Sequence, residues 1–303
     1  MVPPADRVKK PGKPGKPGQS SVWLDAKKPR SGGSADGGSG AGSGTGGGSG
    51  GGSGSRAGGG GRRSETAAAK GSGRPAAPGL DRERITAATV ELLDAEGLAK
   101  FSMRRLAAEL NVTAMSVYWY VATKDDLLEL ALDRVAGELT VPDPDDDTDW
   151  RVQLRQLAYS YRELMVGHPW ATSLMGRYLN IGPRFMAFHE ATLGVMRKTG
   201  LPLARQAGTM AAVFQFVFGY ATSEVQFHQR AAEAGLSADE FFQESMGLIA
   251  GELENTQLFR DSTALMEARG GDTVAEMYGR DFDYALDILI AGIEATGAAH
   301  GTP

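Results

Sequence analysis

The sequence predicts an all-α protein: an N-terminal three-helix helix-turn-helix domain, joined by a fourth helix to a C-terminal helical bundle. Residues 101–124, FSMRRLAAELNVTAMSVYWYVATK, have the pattern of a helix, a tight turn and a second helix. Helix-period apolar segments continue on both sides of them, and no stretch alternates convincingly as a strand would.

The first helix should occupy Leu80 to Glu96, with Ile85, Ala88, Leu92 and Leu93 on its apolar face and Gly97 as its stop. In the second, Met103, Leu106, Ala107 and Leu110 share a face while Arg104, Arg105 and Glu109 point outward. Asn111 stands where the chain must turn and tolerates the left-handed conformation; Thr113 is a credible N-cap. The third helix, about 113–121, is too short to persist alone, and Val117 and Val121 anchor it. That leaves Ala114, Met115, Ser116, Tyr118, Trp119 and Tyr120 available. Three consecutive aromatics cannot all face one side of a helix, so at least one of them should be exposed. A helix so placed has the geometry to lie in a DNA major groove. The fourth helix, opened by the capping box Thr123-Lys-Asp-Asp126, should run to about Leu139 with an apolar stripe of Leu127, Leu128, Ala131, Leu132 and Val135.

Pro142 and Pro144 end that helix, and the acidic run of residues 141–149 has the character of a solvated linker and cap, without the ligand spacing or Gly of a calcium loop. Helices are then expected from Trp150 to Val166 and at about 183–198, 202–230, 238–257 and 280–297, with a second capping box at Ser237-Ala-Asp-Glu240. The domains are therefore placed at 80–140 and 150–297, followed by a short tail at 298–303.

The net charge of -5 hides two opposite parts. Residues 1–79 hold 13 Lys and Arg against 4 Asp and Glu, whereas the remainder is acidic. The basic part contains KKPGKPGKPG, a Gly/Ser tract and 24 of the 42 glycines, which is too little apolar area to offset ordering entropy. It is expected to be disordered. As a basic arm, residues 31–78 would reach roughly 35–40 Å along a phosphate backbone. The simpler account is a dispensable extension or an upstream translation start. No segment has the run of apolar residues needed to cross a bilayer, and none resembles a secretory signal; with no cysteine, a cytoplasmic protein is expected.

These residues carry a family resemblance. LDRERITAATVELLDAEG, FSMRRLAAELNV and SVYWYVATKDDLL resemble the TetR (tetracycline repressor) family of bacterial transcription regulators. More weakly, AYSYRELMVGHPWATSLM, VFQFVFGYATSEV and FDYALDILIAGIEA look like its ligand domain. The resemblance implies a homodimer that binds a double-stranded, near-palindromic DNA operator and responds to a small-molecule effector. It implies DNA contacts from Arg104, Thr113, Ala114, Met115, Ser116, Tyr118, Trp119, Tyr120 and Lys124. An effector pocket is expected among Tyr161, Trp170, Met175, Tyr178, Phe185, Phe188, His189 and Phe214, whose adaptable apolar side chains suit a flat molecule.

Two helices with broad apolar faces, carrying Val213, Phe216 and Val217 on one and Leu286, Leu289, Ile290 and Ile293 on the other, are expected to form the dimer interface. The founding repressor's polar ligand positions align with Thr140, Leu157, Met175, Tyr178, Thr192 and Ser223, and its metal-ligating His aligns with Met175. Binding of a magnesium-tetracycline chelate in that manner is therefore not expected, nor is any metal or cofactor. Glu224 and His228, four apart on one helix, are a weak metal signal that surface pairing explains more simply. An enzyme is disfavoured, because the four histidines are scattered and no nucleophile-base or phosphate-loop pattern is present. Ligand-released repression is the expected mechanism. The alternatives are an activator of the same fold or a sequence-blind architectural DNA binder.

Overall fold

The computed structural model describes residues 21–25, 79–143, 146–253 and 256–300. Ordered structure among them is helical. The reader consists of α1 (Arg82–Glu96), α2 (Met103–Glu109) and α3 (Ala114–Tyr118), followed by α4 (Lys124–Ala136). Beyond the linker come α5 (Trp150–Gly167), α6 (Pro169–Met175), α7 (Pro183–Lys198), α8 (Leu203–Glu233), α9 (Ala238–Leu253), α10 (Gln257–Arg269) and α11 (Val274–His300).

Local chemistry explains most of these boundaries. Asp81 caps α1 by accepting from the Arg84 amide, and Gly97 ends it at φ 76°, a conformation that costs other residues a Cβ clash. The Thr123–Asp126 capping box opens α4, and Ser237 and Glu240 exchange the same pair of bonds at the start of α9. Two helices were not anticipated. Pro169 does not only close α5; it also starts α6, because proline fits a first helical position where no N–H is needed. Thr256 starts α10 by accepting from the Phe259 amide. The last helix begins at Val274 rather than near residue 280, with Thr273 accepting from the Glu276 amide.

Helix α4 organises the molecule. Every residue from Leu127 to Ala136 is buried except Arg134, which is half-buried. Its apolar side chains pack against α1 on one flank and against α6 and α7 on the other, so one continuous core runs from Leu80 to Ile293. Burial on both flanks supplies about 1.5–3 kcal/mol for each large aliphatic residue, which makes α4 a shared part of reader and bundle rather than a linker.

Three carboxylates at four-residue spacing, Asp125, Glu129 and Asp133, run along α4. Asp125 accepts from Arg177 at 3.0 Å and from the Tyr178 hydroxyl at 3.2 Å. Asp133, 2% exposed, accepts from the backbone amides of Arg184 and Phe185, each at 3.1 Å, and so caps the first turn of α7. Burial raises the pKa of Asp133, and those two amides oppose the shift. Gly182 permits this approach, since a Cβ there would lie 2.2 Å from Asp133 Oδ1.

Reader and bundle are also tied at His168. Its Nδ1 lies 2.7 Å from Asp94 of α1 and its Nε2 lies 3.0 Å from Glu138, while the Trp170 indole donates to Asp94 at 2.6 Å. Burial disfavours a charged ring here, but the two carboxylate hydrogen bonds together outweigh it and raise the His168 pKa. In the bundle, α5 packs on α8 around the ion pair between Arg162 and Glu224, a two-pronged contact at 2.8 Å with the guanidinium over the Phe282 ring.

Nearly all of the expected disordered tail, residues 1–79, lies outside the described residues. Ser21–Asp25 departs from the expectation. There a single helical turn, Val22–Asp25, seats on α4, and Ser21 is buried.

Two outcomes test this architecture. Asp133→Ala is expected to cost about 1–2 kcal/mol as a lost cap, and Gly182→Ala about 1–3 kcal/mol as an overpacked contact. Because both act on one contact, denaturation of the double variant should show strong non-additivity, with a loss close to that of the worse single change. For His168, a folded pKa above the unfolded value means its stabilisation is complete below about pH 6.5 and is lost as pH rises through the folded pKa. The thermal midpoint of the wild type should exceed that of His168→Gln most at about pH 6, with the gap narrowing by about pH 8.5. A constant gap would refute the imidazolium assignment.

Candidate nucleic-acid interface and cavity

The helix-turn-helix is built from short-range bonds. Ser102 caps α2 by accepting from the Arg105 amide. Asn111 adopts φ 54°, and the Val112 amide closes the turn on the Ala107 carbonyl at 2.9 Å. Thr113 then caps α3, accepting from the Ser116 amide at 3.2 Å and sharing a 2.8 Å hydroxyl contact with Ser116. Fully buried Val117 and Val121 hold the short helix against the core. The helix itself is Ala114–Tyr118, shorter than expected, with Trp119 and Tyr120 in the turn that follows.

This packing leaves an apolar outer surface. Met115 is 69% exposed, Trp119 72% and Tyr118 43%, whereas Tyr120 packs partly on the core. The consecutive aromatics therefore divide, two outward and one inward. Arg104 on α2 is exposed, while Arg105 is engaged by Glu96 and Glu109. Lys124 donates its ammonium to the Phe101 carbonyl at 2.8 Å and lies over the Phe101 ring, so it joins the starts of α2 and α4.

A cavity of about 430 Å³ opens among α5, α7 and α8. Tyr161 and Phe188 stack with ring centroids 5.6 Å apart, and Phe214 meets both edge-on at 5.7 and 5.5 Å, giving a three-ring wall. Phe185, His189, Thr192, Gln206 and Met210 extend the lining, and exposed Leu193 and Leu203 stand among it. Burial pushes the Tyr161 phenol up to about 12 and lowers the His189 pKa, so both are neutral near pH 7. Thr192 and Gln206 spend their donors on the carbonyls of Phe188 and Leu201. Asn180 differs: its amide nitrogen donates to Met175, but its buried Oδ1 has no hydrogen-bond partner among the described residues.

Five of the eight expected pocket residues, Tyr161, Phe185, Phe188, His189 and Phe214, line this cavity. Trp170, Met175 and Tyr178 do not. Trp170 is turned toward Asp94 at the reader, Tyr178 toward Asp125 on α4, and buried Met175 accepts the Tyr161 hydroxyl at 3.8 Å. Asn180 and Gln206 were missed, because polar residues in an apolar pattern give no signal of their own, and Met210 because its helix reads as apolar on several sides. Glu224 is not a surface residue; it is buried with Arg162.

Of the residues expected at a dimer interface, Val213, Leu289 and Ile293 line a groove between α8 and α11, and Leu289 is half-buried. Val213, Val217, Leu286, Ile290 and Ile293 are buried within the protomer, and Phe216 stacks on Phe282 of α11 at 5.5 Å. The outward apolar residues on α11 are Tyr284, 70% exposed, and Ile288, 56% exposed. The groove between α8 and α11 is shallow, about 380 Å³, with Gly208, Ala212 and Gly292 also in its lining.

Two family descriptions match successive parts of the chain. "Bacterial regulatory proteins, tetR family" matches residues 85–131, and "Tetracyclin repressor-like, C-terminal domain" matches residues 141–296. An HTH-type transcriptional regulator of Saccharopolyspora erythraea is 34% identical over 220 residues, covering 72% of this chain and 86% of that protein. The HTH-type transcriptional repressor DrrR1 of Streptomyces coeruleorubidus is 31% identical over 72% of this chain and 78% of its own length. Among solved structures, the TetR family protein ActR of Streptomyces coelicolor in complex with actinorhodin superposes with a TM-score of 0.60 at 28% identity, over 72% of this chain and 97% of ActR. With the reader and the bundle each matched in their own stretch, the chain belongs to the TetR family, as a non-enzymatic, ligand-responsive transcription regulator with a helix-turn-helix reader.

Proposed function

We propose that the protein is a homodimeric repressor, released from a near-palindromic operator by a small, largely apolar, planar molecule. One observation carries this: the aromatic cavity is walled by α7, and the first turn of α7 is capped by Asp133 of α4, the helix on which the reader is packed. A molecule that shifts α7 must move either that cap or α4 with it. Only differential affinity for two arrangements can release DNA, and such coupling is typically about 1–3 kcal/mol.

The wall supports an effector class. Three rings and neutral polar groups favour a flat uncharged surface. The relative ActR was solved with actinorhodin, which is consistent with an organic effector of this kind. On the DNA side, Tyr118, Trp119, Met115 and Ser116 face the groove, and α2 adds exposed Arg104. Lys124 sets the angle of α4 and adds its charge near the backbone. Dimerisation through α8 and α11, with Ile288 and Tyr284 outward and glycines permitting close approach, would place two readers at successive major grooves.

The test is selection from fragmented genomic DNA of the source by the full chain at about 150 mM salt. A short palindrome is the expected product, and its absence would overturn the proposal. On that operator, Tyr118→Ala with Trp119→Ala should leave stability within about 0.5 kcal/mol yet weaken binding by about tenfold or more. Arg104→Ala should reduce the salt dependence by about one phosphate contact. With an effector found by operator release, Phe188→Ala should keep DNA affinity but require about tenfold more effector. An unchanged dose response would remove the cavity from the mechanism.

A further inference from the structure

The middle carboxylate of the α4 row is satisfied from an unexpected direction. Glu129 is 3% exposed, and both its oxygens are taken by the N-terminal segment: the Ser21 hydroxyl donates to Oε1 at 2.6 Å and the Val22 amide donates to Oε2 at 2.8 Å. The contact joins residues 107 and 108 positions apart in the chain. Ser21 is 2% exposed, Val22 belongs to the main core cluster, and Trp23 packs partly against it. The Trp23 amide bonds back to the Ser21 oxygen at 3.4 Å, which fixes the turn that presents both donors.

A buried carboxylate without donors bears the full penalty of desolvation. On α4 the neighbouring carboxylates draw their donors from the bundle, Asp125 from Arg177 and Tyr178, Asp133 from the start of α7. At Glu129 the donors come from Ser21 and Val22 instead. Polar complementarity and apolar burial coincide at one seat, which a dispensable extension has no reason to provide.

We infer that Ser21–Trp23 is an intramolecular ligand of α4, and that Glu129 is the residue that recognises it. The seat takes a short extended-to-helical peptide offering a hydroxyl and a backbone N–H to one carboxylate, with an aliphatic and an aromatic side chain following. Occupied, it holds the bundle-facing flank of α4 in place. If α4 carries the signal from cavity to reader, a step that rests on the function proposed above, the segment limits how far α4 can move.

Hydrogen exchange on the full-length chain tests the inference without DNA or effector, so its result is independent of the regulatory reading. Amides of residues 21–23 should exchange at least about tenfold more slowly than in a free synthetic peptide of residues 19–25. In full-length Glu129→Leu, which leaves the Ser21 hydroxyl and the Val22 amide with no acceptor at that position, that protection should fall. Residues 124–136 should exchange faster as well, while residues 257–269 remain as in the wild type and serve as the check on folding. Val22→Asp, which sets a second carboxylate beside Glu129, should do the same. Protection should not change on dilution, as expected for a segment bound to its own chain. Free-peptide exchange of residues 21–23 in the wild type, full protection retained in Glu129→Leu, or protection lost on dilution would each overturn the inference.

Discussion

The double-sided burial of α4 is the constraint on which the rest of the structure depends. A helix buried on both flanks cannot rest on one domain. By placing Leu127, Leu128, Leu130, Leu132 and Val135 in a core shared with α1, α6 and α7, the sequence makes the reader and the bundle parts of one packed body. Close-packed interiors repack between discrete arrangements rather than deforming smoothly. On the proposed function, a sub-ångström displacement of α7 would be passed to α4 as a change between two such arrangements.

Asp133 supplies the contact between α7 and α4. Its carboxylate is buried and held by two backbone amides, and the absence of a side chain at Gly182 lets it approach. Since α7 also carries Phe185, Phe188 and His189 into the cavity wall, a single helix links the cavity rings to the reader's supporting helix. The clamp of His168, Trp170 and Asp94 ties the reader to the bundle at a second place, distant in sequence from the first.

How much of this was legible in the sequence follows from the range of the interactions. Asn111, Thr113, the Thr123–Asp126 box and Gly97 act within one turn of themselves, so residue type and spacing located them. That at least one of Tyr118, Trp119 and Tyr120 is exposed followed from helix geometry, although Trp119 and Tyr120 lie in the turn after α3. Trp170, Met175 and Tyr178 were assigned to the cavity because large apolar residues clustered there, but Asp94 and Asp125, dozens of positions away, decide where Trp170 and Tyr178 point. Most of the residues chosen for a dimer face are buried within the protomer, and Val213, Leu289 and Ile293 line the groove between α8 and α11. Ser21–Trp23 was invisible for the same reason: its partner, Glu129, looks like an ordinary helix residue until the turn is seen on it.

The account's central claim is that cavity occupancy reaches the reader through α7, Asp133 and α4. Its most direct test is hydrogen exchange on full-length Ala211→Trp, in which the indole introduced at the cavity wall stands in for an effector. The expected result is altered protection across Lys124–Ala136 and Arg82–Glu96, with Gln257–Arg269 unchanged. Changes confined to Pro183–Lys198 and Leu203–Glu233 would show that the cavity and the reader are not mechanically joined.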